Sequence, residues 1–201
     1  RDGAPIFAGA YGLADLAAQA PATIATRYRL ASVSKQFTAM AALLQAADGR
    51  LHLSDPLARF FAPAPPTWQQ ITVEQLLAHS SGLLDYEDLI APGTQAQLSD
   101  HDVLELVRPH AEGYGAPGAA FRYSNTGYCL AALIVARVAD RPFAEVLRER
   151  IFAPLGMAGT QAGPPAELRA YGHSRRGQGW ARTDQSPTSA TLGDGGIYSS
   201  V

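Results

Sequence analysis

An apolar pattern begins within the sequence Ser32-Val-Ser-Lys35 and continues beyond it. Apolar side chains recur at helical spacing from Val33 to Leu44, and Gly49 provides a stop signal. This pattern predicts a largely buried helix with Ser32 and Lys35 in its first turn. Residues three apart share one face of a helix, so the two side chains are expected to lie within reach of each other.

Lys35 is the only lysine among 16 basic residues, and all the others are arginine. An arginine stays protonated in proteins and cannot act as a base. An ammonium group, in contrast, loses its proton readily when it is desolvated or placed beside another cation. The one lysine therefore indicates a role that requires a neutral amine.

The Ser32 hydroxyl needs a neighbouring group to take its proton before it can act as a nucleophile, and Lys35 is placed to do so. Free N–H groups at the beginning of the helix can stabilise an oxyanion, and the positive end of the helix dipole favours a neutral amine. The alternative is that Ser32 only caps the helix while Lys35 is an exposed cation. Ser34 is the competing hydroxyl, but it is expected on a different face.

A second candidate motif is Tyr123-Ser-Asn125, in a loop that enters a helix starting near Gly127. A phenol and an amide two residues apart on a loop can face one cleft, with Tyr123 relaying a proton and Asn125 fixing a substrate carbonyl or the lysine. Alone this motif is weak, because a tyrosine and an asparagine near a helix start are usually structural.

The remaining chain divides into helices and loops. Residues 5–14 read as a strand after a turn at Asp2-Gly3, residues 159–196 as long loops, and Ile197 to Ser199 as a short strand. Capping-box spacings are present at Thr72 and Gln75 and at Ser99 and Asp102. Besides the helix after Ser32, helices are predicted from Thr72 to before Gly82, from Ser99 through Val107, over about 127–139, and from Pro142 through Ile151.

The composition limits the classes of binding partner that the chain can have. A 201-residue chain that is 47% hydrophobic can form a packed core, and its net charge of -2 disfavours nucleic acid or an anionic membrane as partner.

No apolar stretch approaches a membrane span, and Cys129 reads as a buried thiol. The histidines lack metal-ligand spacing, so no metal or cofactor is predicted. The arginines at 169, 175, 176 and 182 read as a solvated loop.

The two motifs, taken with the segments around them, resemble the β-lactamase-related serine hydrolases, a family of class C β-lactamases, D,D-carboxypeptidases, D-amino acid peptidases and related esterases. The Tyr-x-Asn form resembles the class C side more than class A. The segments that carry the resemblance are Ala31-Ser-Val-Ser-Lys-Gln-Phe-Thr38, Asp48-Gly-Arg-Leu-His-Leu-Ser-Asp-Pro56, Leu76-Leu-Ala-His-Ser-Ser-Gly-Leu83, Tyr123-Ser-Asn125, Pro154-Leu-Gly-Met157 and Gly195-Gly-Ile-Tyr-Ser199.

The resemblance implies an α+β fold of the β-lactamase/transpeptidase type and a role for each motif residue. Ser32 would be the acylated nucleophile, Lys35 and Tyr123 would share the proton transfers, and Asn125 would help to hold the substrate. His79 lies in the family's Leu-Leu-x-His-x-Ser-Gly turn, which implies a satisfied, partly buried histidine. The family's third motif, Lys-Thr-Gly or His-x-Gly, does not follow Tyr123. We therefore expect a fragment with little turnover, whose helical lobe is present and whose antiparallel sheet is mostly absent.

Three regions follow from this resemblance: residues 1–31 as a remnant of the N-terminal strands, 32–160 as the helical lobe, and 161–201 as a loop-rich return towards the missing sheet. The leading hypothesis is a serine hydrolase that acts on a β-lactam, a D-Ala-type peptide or a small ester. The alternative is a non-catalytic penicillin-binding or sensor domain, or an inactive fragment. The resemblance also implies a periplasmic or secreted protein, and it leaves the oligomeric state open.

Overall fold

The computed structural model of the protein describes residues 4–201, so the turn predicted at Asp2-Gly3 lies outside the described residues. Five α-helices and seven short strands are formed in this range. The helices are α1 (Lys35–Ala47), α2 (Val73–Leu77), α3 (Asp100–Val107), α4 (Asn125–Ala139) and α5 (Phe143–Leu147). The strands are β1 (Leu13–Asp15), β2 (Ala20–Pro21), β3 (Tyr28–Arg29), β4 (Gln161–Ala162), β5 (His173–Arg176), β6 (Gly179–Arg182) and β7 (Ile197–Ser199).

Helix α4 lies at the centre of the helical part, and most of its 15 residues are buried. It packs against α1, α2, α3 and α5, and Cys129 is fully buried within it, as its apolar surroundings predict. The helix begins at Asn125 rather than near Gly127, because the Ser124 hydroxyl caps it by accepting the Gly127 N–H at 3.3 Å. This earlier start places Asn125 on the first turn of the helix.

Two hydrophobic clusters meet at α4. One contains Leu130 and Ile134 together with Trp68, and the other contains Val135 packed with Ile197. Both clusters consist of side chains that are almost wholly removed from water, which is the main favourable contribution to folding. The position of α4 between them fixes the N-terminal turn of this helix relative to α1 and β7.

Both predicted capping boxes form. The Thr72 hydroxyl accepts the Gln75 N–H at the start of α2, while the Gln75 side chain accepts the Thr72 N–H. Ser99 and Asp102 make the same reciprocal pair at the start of α3. Helix α5 is shorter than predicted, because a π-helical turn over Arg148–Phe152 replaces its last residues.

The largest sheet has three short antiparallel strands in the order β3, β7, β4. The strand predicted at Ile197 to Ser199 is therefore correct, and it forms the centre of this sheet. The helices with small antiparallel sheets give an α+β fold of the expected type, with little of its sheet within the described residues.

The strand predicted over residues 5–14 is wrong in most of its length. Only Leu13–Asp15 forms a strand, paired with β2, whereas Ile6 and Phe7 are 85% and 72% exposed. A strand is stabilised by a paired neighbour and a buried face. Residues 5–11 form no strand in the described chain.

The loops predicted over residues 159–196 contain a hairpin, in which β5 pairs with β6 across Gly177 and Gln178. Arg175 and Arg176 are exposed on this hairpin, but Arg169 is largely buried in an ion pair with Asp184, so it is not solvated as predicted. No helix within residues 4–201 combines the length and the apolar character needed to cross a membrane.

The capping box at α2 predicts a measurable stability effect. Thr72→Ala removes the acceptor of the Gln75 N–H, and we expect it to lower the free energy of unfolding by about 1 kcal/mol. Urea unfolding measures this loss. Ser54→Ala, which removes an exposed hydroxyl from a turn, is the control and should be near neutral. Equal stability of the two variants would contradict a stabilising role for the cap.

Candidate active site

Ser32 lies in a 3₁₀ turn, Ala31–Ser34, that continues directly into α1. The sequence placed it in the first turn of the α-helix itself, and the structure corrects this detail. Side chains three residues apart eclipse one another in a 3₁₀ turn. Accordingly, Lys35 Nζ lies 3.2 Å from Ser32 Oγ and donates a hydrogen bond to it.

Tyr123 contacts the same serine oxygen from the opposite side of the site. Its hydroxyl donates to Ser32 Oγ at 2.8 Å, across 91 residues of sequence. Tyr123 is 45% exposed, and its ring stacks on the imidazole of His79, with 4.5 Å between the ring centroids. Lys35 Nζ lies 4.9 Å from the centroid of the Tyr123 ring. The Ser32 oxygen is therefore held between an ammonium group and a phenol.

Asn125 connects the lysine to an acidic segment. Its Oδ1 accepts a hydrogen bond from Lys35 Nζ at 2.8 Å, and its Nδ2 donates to Glu87 Oε1 at 3.0 Å. The Asn125 backbone N–H donates to Asp85 Oδ2 at 2.6 Å. These contacts fix which side of the amide faces the lysine. The pattern of the sequence gave no sign of Glu87, whose contribution depends on contacts between distant segments.

The third acceptor of Lys35 Nζ is the backbone carbonyl of Asp194, at 2.9 Å. Lys35 is only 6% exposed, and each of its three N–H donors has an acceptor. Sequence reasoning did not identify Asp194 as part of the site. The Gly195-Gly segment that carries part of the family resemblance directly follows it, and this was the signal that could have found it.

Acidic side chains lie in the neighbourhood of this lysine without bonding Nζ. Burial raises the pKa of Glu87 above its ordinary value, the neighbouring Asp85 and Asp194 carboxylates raise it further, and Lys35 opposes them. The Asp194 carboxylate accepts a hydrogen bond from the Tyr86 hydroxyl at 2.9 Å. Burial is the largest reason that the pKa of this phenol is raised far above its usual range.

Ser34, the competing hydroxyl, lies on a different face, as predicted. It is fully buried, and its Oγ accepts the Ile197 N–H at 3.1 Å. This contact ties the 3₁₀ turn to β7 and directs the Ser34 hydroxyl into the core. Within residues 4–201, no group of three or more His, Cys, Asp and Glu side chains is arranged to hold a metal ion.

His79 contacts the segment that carries Tyr123 and Asn125. Its Nδ1 accepts the Ser124 backbone N–H at 3.1 Å, and its ring contacts Tyr123 and Tyr128. The residue is thus satisfied and partly buried, as predicted. Burial is the largest cause that lowers its pKa below the ordinary value, and the Lys35 ammonium lowers it further, while Asp85 acts in the opposite direction.

The model of the beta-lactamase family matches residues 1–201. The chain belongs to the beta-lactamase family. It is 30% identical over 159 residues to penicillin-binding protein 4* of Bacillus subtilis, a match that covers 78% of the chain and 35% of that protein. It is 32% identical over 163 residues to a D-aminopeptidase of Cereibacter sphaeroides, a match that covers 78% of the chain and 30% of that protein.

Solved structures of this family share the fold. The D-amino acid amidase of Ochrobactrum anthropi SV3, in complex with L-phenylalanine amide, superposes with a TM-score of 0.81 at 33% identity, covering 94% of the chain and 56% of the amidase. The β-lactamase/transpeptidase-like fold implied by the sequence motifs is therefore confirmed. The chain spans about a third of the length of the curated relatives described above.

The lowered pKa of His79 predicts a pH-dependent contribution to stability. Because this pKa lies below that of an unfolded histidine, about 6.5, the contribution is complete above that value and is lost as the pH falls below it. We expect the stability difference between the wild type and His79→Asn to shrink from pH 7 to pH 5. Asparagine tolerates the positive φ of residue 79.

The measurement is urea unfolding at several pH values. Ser54→Ala is the control, because it removes an exposed hydroxyl and no titratable group, and its stability difference from the wild type should stay constant. A constant difference for His79→Asn as well would contradict the interpretation.

Proposed function

We propose that this chain carries the acylation centre of a serine hydrolase, with Ser32 as the nucleophile. The observation that supports this most directly is the double hydrogen bond at Ser32 Oγ, which both Lys35 Nζ and the Tyr123 hydroxyl contact. Nucleophilic catalysis by a serine requires an adjacent group that can take its proton, and two titratable groups contact this oxygen. Ser34 has no such neighbours on its oxygen, since its partner is a backbone N–H.

In the proposed reaction, the Tyr123–Lys35 pair first carries one proton fewer than a phenol and an ammonium group together, and it takes the Ser32 proton as Oγ attacks the carbonyl carbon of the substrate. The backbone N–H of Ser32, at the beginning of the 3₁₀ turn, is proposed as one donor to the oxyanion. Collapse of the tetrahedral intermediate breaks the bond to the leaving nitrogen or oxygen, which receives the same proton. Water then attacks the acyl-enzyme by the reverse proton path and releases the acid.

Lys35 and Asn125 have separate roles in this proposal. The proposed role of Lys35 requires an amine that can exchange a proton, which an arginine cannot provide. Asn125 holds Nζ through its Oδ1 and is proposed to help orient the substrate, while Glu87 fixes the orientation of the amide. The compact ammonium group also suits a site with three separate acceptors around one nitrogen atom.

The proposed substrate is a β-lactam, a D-Ala-type peptide or a small ester, and the relatives favour the first two. Proteins similar to this chain are named penicillin-binding protein, D-aminopeptidase and D-amino acid amidase. All three names refer to amide carbonyls, and two of them to residues of D configuration. An amide or lactam carbonyl next to a D-configured centre is therefore the substrate class we propose.

The nucleophile assignment predicts the site of covalent labelling. A fluorophosphonate should label Ser32, and Ser32→Ala should abolish the labelling. Lys35→Arg and Tyr123→Phe should slow it by about 10²- to 10⁴-fold, because each removes a proton-transfer group. Intact mass and peptide mapping measure the adduct. Ser34→Ala is the matched control and should still be labelled at Ser32. A label that survives Ser32→Ala would refute the assignment.

A second experiment tests whether the acyl group is released. Incubation of the intact parent protein with a fluorescent penicillin or D-alanine amide should give an acyl adduct whose mass appears and then decays as product accumulates, whereas we expect little turnover by the 201-residue chain alone. An adduct that persists without product would favour the alternative, a non-catalytic penicillin-binding or sensor domain. Absence of any adduct in the intact parent protein, at ligand concentrations that saturate penicillin-binding proteins, would overturn both readings of the site.

A further inference from the structure

One of the three acceptors around Lys35 is a backbone carbonyl, and its position depends on the chain around it. This carbonyl belongs to Asp194, in a segment that we call the glycine segment (residues 192–197) because it contains three glycines. Ser32 lies in the same helical turn as Lys35, and Asn125 is anchored by Asp85 and Glu87. The position of the glycine segment must therefore depend on contacts with other residues.

Asp100, the first residue of α3, binds the glycine segment with both carboxylate oxygens. Its Oδ2 accepts the Leu192 N–H at 3.0 Å, and its Oδ1 accepts the Gly193 N–H at 3.1 Å. Asp100 is only 7% exposed. It is not the cap of α3, because Ser99 and Asp102 provide the capping box. Its carboxylate therefore serves the distant segment, 92 residues along the chain.

Thr38 holds the same part of the segment from the other side. Its hydroxyl, buried in α1 one turn after Lys35, donates to the Gly193 carbonyl at 2.7 Å. Residue 193 also lies directly against α4, where an added Cβ would be 2.3 Å from the Tyr128 carbonyl oxygen. Residue 193 is thus fixed at its N–H, at its carbonyl and at its Cα, and the next carbonyl is the acceptor of Lys35.

The electrostatics are consistent with a carboxylate that is kept for its hydrogen bonds. Burial raises the pKa of Asp100 to about 6, and Asp194 raises it as well, while the Leu192 and Gly193 N–H groups lower it. The Cys129 thiol of α4 also lowers this pKa. A buried carboxylate is costly unless donors satisfy it, and here two of the donors are the N–H groups of the glycine segment.

We propose that Asp100 and Thr38 are positioning residues of the acylation centre. They hold residues 192 and 193 so that the Asp194 carbonyl accepts from Lys35 and keeps Nζ beside Ser32. The kinetic part of this inference rests on the proposed function. Without the third acceptor, Nζ is free to move away from Ser32, and a misplacement of about 1 Å can cost about 10²-fold in rate.

The single lysine makes the inference directly measurable. The 201-residue chain, grown with ¹³Cε-labelled lysine, gives one side-chain signal, because Lys35 is the one lysine in these residues. Asp100→Asn retains the size of the side chain but places an NH₂ group against one of two N–H donors. We expect this variant to shift the Lys35 signal, to speed exchange of the Leu192 and Gly193 amides, and to slow fluorophosphonate labelling by about 10- to 100-fold.

Asp102→Asn is the matched control, because Asp102 lies in the same helical turn but is exposed and bonds only the Ser99 cap in that turn. It should lower the stability of the protein and leave the Lys35 signal unchanged. An unchanged Lys35 signal in folded Asp100→Asn would overturn the inference, and so would an equal shift in Asp102→Asn.

A second pair of variants decides the question if Asp100→Asn does not fold. Thr38→Val removes the hydroxyl that holds the Gly193 carbonyl, whereas Thr38→Ser retains it. The Lys35 signal should shift in the valine variant and return towards its original position in the serine variant. Identical signals in the wild type and both variants would overturn the inference. The signal does not depend on turnover, so a wild-type protein that fails to react with the fluorophosphonate contradicts only the proposed function.

Discussion

The buried ammonium group of Lys35 is the interaction on which the rest of the site depends. It is 6% exposed, so its three N–H donors must find acceptors within the protein. These acceptors are Ser32 Oγ, Asn125 Oδ1 and the Asp194 carbonyl. They come from the turn before α1, the first turn of α4 and the glycine segment. The three segments must therefore meet at one point for the lysine to be buried at an acceptable free energy.

The packing of α4 brings these segments together. This helix lies between the two hydrophobic clusters and packs against α1, which places Asn125 opposite Lys35. The glycine segment then fits between α1, α3 and α4, because residue 193 has no side chain to collide with the Tyr128 carbonyl. Glu87 lies near the same region, where the Lys35 ammonium group lowers the pKa of its carboxyl against the effect of burial. The apolar core thus fixes a polar arrangement that the polar groups alone would not hold.

Much of the helical part was predictable because its signals are local. The capping boxes at Thr72 and Ser99 each involve residues three apart, and both form as expected. The strands were harder to predict, because a strand is stabilised by a partner that can lie anywhere in the chain. The strand predicted over the apolar residues 5–14 was therefore mostly wrong, because apolar character alone does not provide a strand partner. The hairpin of β5 and β6 was missed because its residues are mostly exposed and show no clear alternation of apolar and polar side chains.

The sequence by itself determined the pair Ser32 and Lys35, since three-residue spacing in a helical turn brings the two side chains together without help from the rest of the fold. It also singled out Tyr123 and Asn125 as candidates, although their distance from Ser32 was not determined. Only the tertiary structure decided that the phenol and the amide reach the same serine and lysine, and that a backbone carbonyl 159 residues from Lys35 completes its coordination. No local pattern encodes such contacts, because they depend on how helices pack and on which backbone groups that packing leaves facing the site.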